Sequence, residues 1–103
     1  MGSPTPFPLL RPMATMILRE TARTGSRVVF TKHALGQMRK RGILRTQVLR
    51  CLERGRIVEG PAQGIRGNWE CRIEGIVEGL GLAVAAAITS QQGVTVITAF
   101  WID

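Results

Sequence analysis

His33 is the single histidine of this 103-residue chain. It is also the one side chain whose unperturbed pKa lies near neutrality. Lys32 precedes it, and Arg39-Lys40-Arg41 follows within a few helical turns. An imidazole accepts or donates a proton at neutral pH. Ammonium and guanidinium groups hold phosphate oxygens, guanidinium as a bidentate fork. Further along, Arg72 stands between Glu70 and Glu74, and Arg66 lies in a stretch bounded by Gly64 and Gly67. Together these residue types can bind a phosphate group and transfer a proton beside it.

Each of these residues also has a plainer role. The spacing puts His33 in the first turn of a helix, among unpaired amide donors where a phosphate can bind. The same dipole favours the neutral imidazole that a base requires. The alternative is a structural histidine, hydrogen-bonded between the helix start and a sheet. Arg39, Lys40 and Arg41 cannot all face one site, because consecutive helical residues point about 100° apart. Arg41, beside Gly42, is placed to clamp phosphate, or else it compensates the helix dipole at the C-terminal end. Arg72 either presents a cation from a sheet or belongs to a solvated charge ladder with its two glutamates. Arg66 is a further cation in a loop, and Arg50 and Arg54 read as backbone contacts or a solvated face. Trp69 and Trp101 could stack on bases. Trp69 shares a strand face with Cys71 and Ile73, which favours the core.

The elements that carry these residues follow from periodicity. Residues 1–24 read as a flexible proline-rich tail, with Pro4, Pro6, Pro8 and Pro12 resisting regular structure. Within it, 13–24 could form a short helix or an extra strand. No basic region precedes a long apolar stretch, so no secretory signal is expected. Met13 and Met16 are alternative starts. A single domain is expected over 25–103. Arg27 to Thr31 is β-branched and aromatic, a strand. Thr31 caps a helix that runs to about Arg41 and stops at Gly42. A second helix runs from about Arg45 to Arg54 with Val48, Leu49, Cys51 and Leu52 as its apolar stripe. Arg56 to Glu59 is a strand ended by Gly60-Pro61. From Trp69 to Glu74 apolar and charged residues alternate, the pattern of a half-buried antiparallel strand. Gly75, Gly79 and Gly81 bracket a turn or bulge. Leu82 to Ile88 is continuously apolar, a central strand covered on both faces, with helix as the competitor because of its alanines. Ser90 to Gly93 reads as a hairpin turn, and Val94 to Ile102 as a second buried strand. The order β-α-α-β-β-β-β implies an α+β two-layer domain, an antiparallel sheet packed on two N-terminal helices.

Composition narrows the partners. The chain has 14 Lys+Arg against 7 Asp+Glu, for a formal charge of +7. A balance of that kind points to polyanions. The charge is uneven: residues 1–56 hold 12 of the 14 basic residues and only Glu20 and Glu53 as acids. One basic face built from the first half is therefore expected. Hydrophobic residues make up 45% of the chain, which argues for a folded core rather than disorder. Two cysteines are too few for a disulfide scaffold or a four-ligand zinc site. Cys51 and Cys71 both fall on inward faces. Buried free thiols are the commoner outcome, and a bridge is conceivable if that helix crosses that strand. No metal and no cofactor are expected. No run of 18 apolar residues occurs, so no membrane-spanning helix is expected and a cytoplasmic location follows.

Several spaced motifs resemble one known family. They are Phe30-Thr31-Lys32-His33-Ala34, Met38, Arg41-Gly42-Ile43, Val48-Leu49, Gly55 to Glu59, and Val96-Ile97-Thr98-Ala99-Phe100. Their order resembles the bacterial domain-of-unknown-function family 4258, over about residues 27–101. Gln37 stands where that family usually has arginine. The family looks related to BrnT and RelE-type toxins, in which a small antiparallel sheet carries helices on one side. Such toxins are typically ribonucleases held by a neighbouring antitoxin. Their site often includes a tyrosine, and this chain has none.

The resemblance implies a small basic toxin-like protein that binds and cleaves RNA without a metal. Such cleavage needs a base, an acid and cations for the phosphorane charge. His33, Arg41 and Arg72 are the expected catalytic residues. Lys32, Arg39, Lys40 and Arg66 are the expected nucleic-acid contacts. RNA, with or without the ribosome, and a cognate antitoxin are the expected partners. The rival readings are a non-catalytic nucleic-acid-binding module and a domain whose basic half docks an acidic protein.

Overall fold

Thr31 ends one element and starts the next. Its backbone is extended, and its hydroxyl accepts a hydrogen bond from the Ala34 amide at 3.0 Å. That satisfies one of the donors a helix start leaves open. The computed structural model describes residues 9–89 and 93–102. Three helices, α1 (Arg11–Thr24), α2 (Lys32–Arg41) and α3 (Arg45–Arg54), form one layer. The other layer is a sheet of β1 (Val28–Phe30), β2 (Arg56–Gln63), β3 (Trp69–Val77), β4 (Leu80–Ile88) and β5 (Val94–Ile102). The strand order is β1-β5-β4-β3-β2. The fold is α+β and two-layered, as the sequence implies. The sheet is mixed rather than wholly antiparallel, because β1 pairs with β5 in parallel. The chain leaves β1 through both helices and three strands before returning beside it, and such a long crossover permits parallel pairing.

α1 corrects the expectation of a flexible tail through residue 24. Pro12 sits in its first turn, where a missing amide costs nothing. Gly25 ends it in the left-handed conformation at φ 70°. Ala14, Leu18 and Ala22 are buried in the common core, and α1 packs on α3 and β2. Arg11 seals the sheet edge: its Nε donates to Gly60 O at 2.7 Å and its Nη2 to Val58 O at 3.3 Å. Those carbonyls belong to the outermost strand, whose unpaired groups otherwise invite another chain. Residues 1–8 of the expected tail lie outside the described residues.

β2 also runs further than expected. Gly60-Pro61 does not end it; the strand continues to Gln63 through register shifts against β3. Gly60 has φ 83°, and a Cβ there would collide with the Glu70 carbonyl, so only glycine fits this bend. β3 and β4 are joined by the two-residue turn Glu78-Gly79, both at positive φ. Residues 90–92 of the expected turn Ser90–Gly93 lie outside the described residues, while Gly93 and Thr89 are joined by 3.0 Å and 2.9 Å bonds.

The inner sheet face and the helices share one core. Trp69, Cys71 and Ile73 point into it, as do Leu82, Val84, Ala86 and Ile88. The alanine-rich segment is thus a strand, flanked on both sides by long partners. Cys51 and Cys71 are buried and free. Burial pushes the Cys51 thiol up to about 12, with the Glu74 carboxylate adding to the rise. Burial raises Cys71 to about 11, against a smaller opposing effect of Arg11.

Two measurements test this core. Leu18→Ala should lower unfolding free energy by about 3 kcal/mol in urea titrations, as for other buried leucines; a residue in a flexible tail would leave it unchanged. Both thiols should resist a thiol-specific reagent in the native protein and react on unfolding. Because folding raises both thiol pKa values, their contribution is fully present below pH 9. Stability should decline as pH climbs from 9 toward 11–12. Replacing both with alanine should flatten that decline.

Candidate functional site

The strand alternation that buries Trp69, Cys71 and Ile73 turns Glu70, Arg72 and Glu74 to the opposite, helix-free face. There Arg72 is extensively engaged. Its Nη2 lies 2.9 Å from Glu74 Oε2 and its Nη1 3.5 Å from Glu59 Oε1. Its guanidinium stands 5.1 Å from the centre of the Phe100 ring. The contact reaches from β3 to β5 over β4, which presents only Ala83 and Ala85 at those register positions. Small residues on β4 allow a long side chain to cross it. Ala83 is fully buried although no helix covers that face. Arg72 Nε is buried with no hydrogen-bond partner, held instead by ring and carboxylates. Of the expected solvated ladder with Glu70 and Glu74, only the Glu74 pair forms; Glu59 from β2 takes the second place, and the Phe100 ring covers the guanidinium.

Arg41 ties α2 to the sheet. Its Nη1 donates to Ala99 O at 2.8 Å. Its own carbonyl accepts from Trp101 Nε1, also at 2.8 Å. Gly42 then turns the chain at φ 67°, and its amide returns to the Arg39 and Met38 carbonyls. Trp101 is thereby committed to this junction and packs on the core edge, and Trp69 is buried.

His33 is exposed in the first turn of α2, with Lys32 before it. Arg39 and Lys40 are exposed in the last turn. His33 and Arg41 are eight residues apart on one helix, about 12 Å along its axis. Arg72 is on the other side of the sheet. The three residues expected to act together are therefore separated: His33 and Arg41 at opposite ends of α2, Arg72 on the open face. Arg66 is exposed beside a shallow depression on the open face, with Glu70, Ala87 and Thr95.

What does assemble is charge. The helices carry Lys32, Arg39, Lys40, Arg45, Arg50 and Arg54 as exposed cations, with Glu20 and Glu53 the only helix acids. Arg45 belongs to no motif of the sequence; its guanidinium stands 5.3 Å from the Phe30 ring centre at the start of α3. The glutamates gather on the strands, where Glu59 and Glu74 are paired with Arg72. The molecule has a basic helical face and a sheet face where charges are balanced. No group of His, Cys, Asp or Glu suited to a metal occurs among the described residues. No described helix is long and apolar enough to cross a membrane.

Arg41→Ala should cost about 1–2 kcal/mol of stability, because it removes a charged hydrogen bond across the two layers. Thermal unfolding without any ligand checks this, and an unchanged midpoint would refute the tie.

No curated protein and no solved structure matches the chain. The family model described as Domain of unknown function (DUF4258) matches residues 30–101. That span takes in α2, α3 and β2 to β5, including Thr31, Arg41, Arg72 and Trp101, and leaves α1 outside. The chain belongs to the DUF4258 family.

Proposed function

We propose that this protein is a small basic RNA-binding domain of toxin-like type, which takes the phosphate backbone on its helical face. The observation that carries this reading is the sorting of exposed cations onto one layer of the fold. Lys32, Arg39, Lys40, Arg45 and Arg50 have no carboxylate partner among the described residues. Cations left unpaired on one face favour a phosphate-rich partner by releasing its counterions. Arg39 and Lys40 add to each other at the end of α2, and Lys32 and His33 lie at its start.

Binding is better supported than cleavage. His33 has no acid or base partner among the described residues, and Arg72 is on the far side of the sheet. A strand lying along α2 would meet His33 near one end. His33 would then be the one group able to take a 2′-hydroxyl proton, with RNA itself completing the site. The same basic face fits an acidic antitoxin, which would compete with RNA.

Affinity for a single-stranded oligoribonucleotide should fall with salt. Four phosphate contacts correspond to a logarithmic slope of about −2.8. Arg39→Ala with Lys40→Ala should flatten that slope by about 1.4. Binding that ignores salt, or no binding in 50 mM salt, would overturn the reading. The recovered RNA tells whether cleavage occurs: new ends made by the wild type and lost in His33→Ala extend the function to a ribonuclease.

A further inference from the structure

An open groove of about 680 Å³ lies where the end of α3 meets the sheet, away from α2. Arg19, Arg54 and Arg56 line it. They come from α1, α3 and β2. Their convergence depends on close approach. Gly55 links α3 to β2, and a Cβ on it would stand 2.6 Å from both the Cys51 and Glu74 carbonyls. A Cβ on Gly75 would meet Gly55 Cα at 3.2 Å. Bare backbone on both sides lets the helix end press against β3. The two arginines that flank Gly55 in sequence are thereby held at one opening. α1, the helix outside the family match, supplies the third.

The charge in this groove is only partly compensated among the described residues. Glu74 is its one acidic lining residue, and Arg72 holds that carboxylate at 2.9 Å. Arg54 has only a 4.0 Å contact with Glu53. Arg19 and Arg56 have no ion pair among the described residues. Ile76 and Ile102 add an apolar wall, and Ile76 is 74% exposed. Converging guanidinium forks beside an apolar wall suit a compact multiple anion attached to a less polar group. The volume is in the range of small-ligand sites.

We infer that this groove is a binding site for a phosphate-bearing ligand, held by Arg19, Arg54 and Arg56. The site does not depend on the RNA reading. The phosphate can belong to a free nucleotide or to a nucleic-acid strand, and the chemistry of capture is the same.

Pyrophosphate at constant ionic strength is the probe, measured by titration calorimetry on the full chain. Wild type should bind it, and Arg19→Ala with Arg56→Ala should weaken binding about tenfold or more. Both side chains are exposed, so the thermal midpoint should hold; Arg19→Lys with Arg56→Lys should retain only part of the affinity, because the charge stays while the bidentate fork is lost. Arg39→Ala with Lys40→Ala should leave pyrophosphate binding intact. An oligoribonucleotide that displaces pyrophosphate identifies a strand phosphate; one that does not identifies a free phosphorylated ligand. No pyrophosphate binding at millimolar concentration, or binding that survives the groove substitutions, overturns the inference. RNA binding lost only through Arg39 and Lys40 would then leave the RNA reading standing. Groove-dependent pyrophosphate binding without RNA binding would do the reverse.

Discussion

The fold is organised by the burial of β4. Leu82 to Ile88 is apolar on both faces and tolerates water on neither, so it must be the middle strand. Pairing with β3 and β5 satisfies its backbone. The helices cover Leu82, Val84, Ala86 and Ile88. The other face has no helix, and there the protein uses alanines with long side chains from neighbouring strands. Arg72 and Phe100 meet over Ala83 and Ala85, and Glu59 and Glu74 hold the cation in place. A larger residue at Ala83 or Ala85 would stand where that contact forms. The same small side chains that loosen the strand assignment in the sequence thus make the open face possible.

Placing the helices before the strands has an electrostatic consequence. The basic first half becomes the outer surface of one layer, and the more acidic second half becomes the sheet. Glu59 and Glu74 are neutralised locally by Arg72. Lys32, Arg39, Lys40, Arg45 and Arg50 have no such partners among the described residues, so the field of the molecule is directed from the helical face. A polyanion meets that face first, whatever follows in chemistry.

The expected site residues are individually well placed and collectively apart. Arg41 is a structural tie between α2 and β5, closed by Trp101 from the other side. Arg72 is a pin on the open face. His33 is exposed, with no ion-pair partner among the described residues. By contrast, Arg19, Arg54 and Arg56 come from three different elements, α1, α3 and β2. They share a groove because glycine at 55 and 75 brings α3 against β3.

Periodicity along the chain determined α2, α3, the inward face of β3, the extended state of β5 and the α+β class. These depend on local propensity and alternation, which neighbouring residues express without help. The Thr31 cap and the Gly42 stop were legible for the same reason. Other features depended on partners far away in sequence. For 13–24 a helix and a strand are both open along the chain; Leu18 and Ala14 packing in the shared core decides for the helix, which begins at Arg11. Gly60-Pro61 read as an end, yet β2 continues because β3 supplies the pairing. The parallel return of β1 beside β5 is a matter of topology, which no local pattern encodes. Which cations meet was decided only in three dimensions. The length of α2 separates His33 from Arg41, a sheet separates both from Arg72, and side-chain type carries no record of either distance.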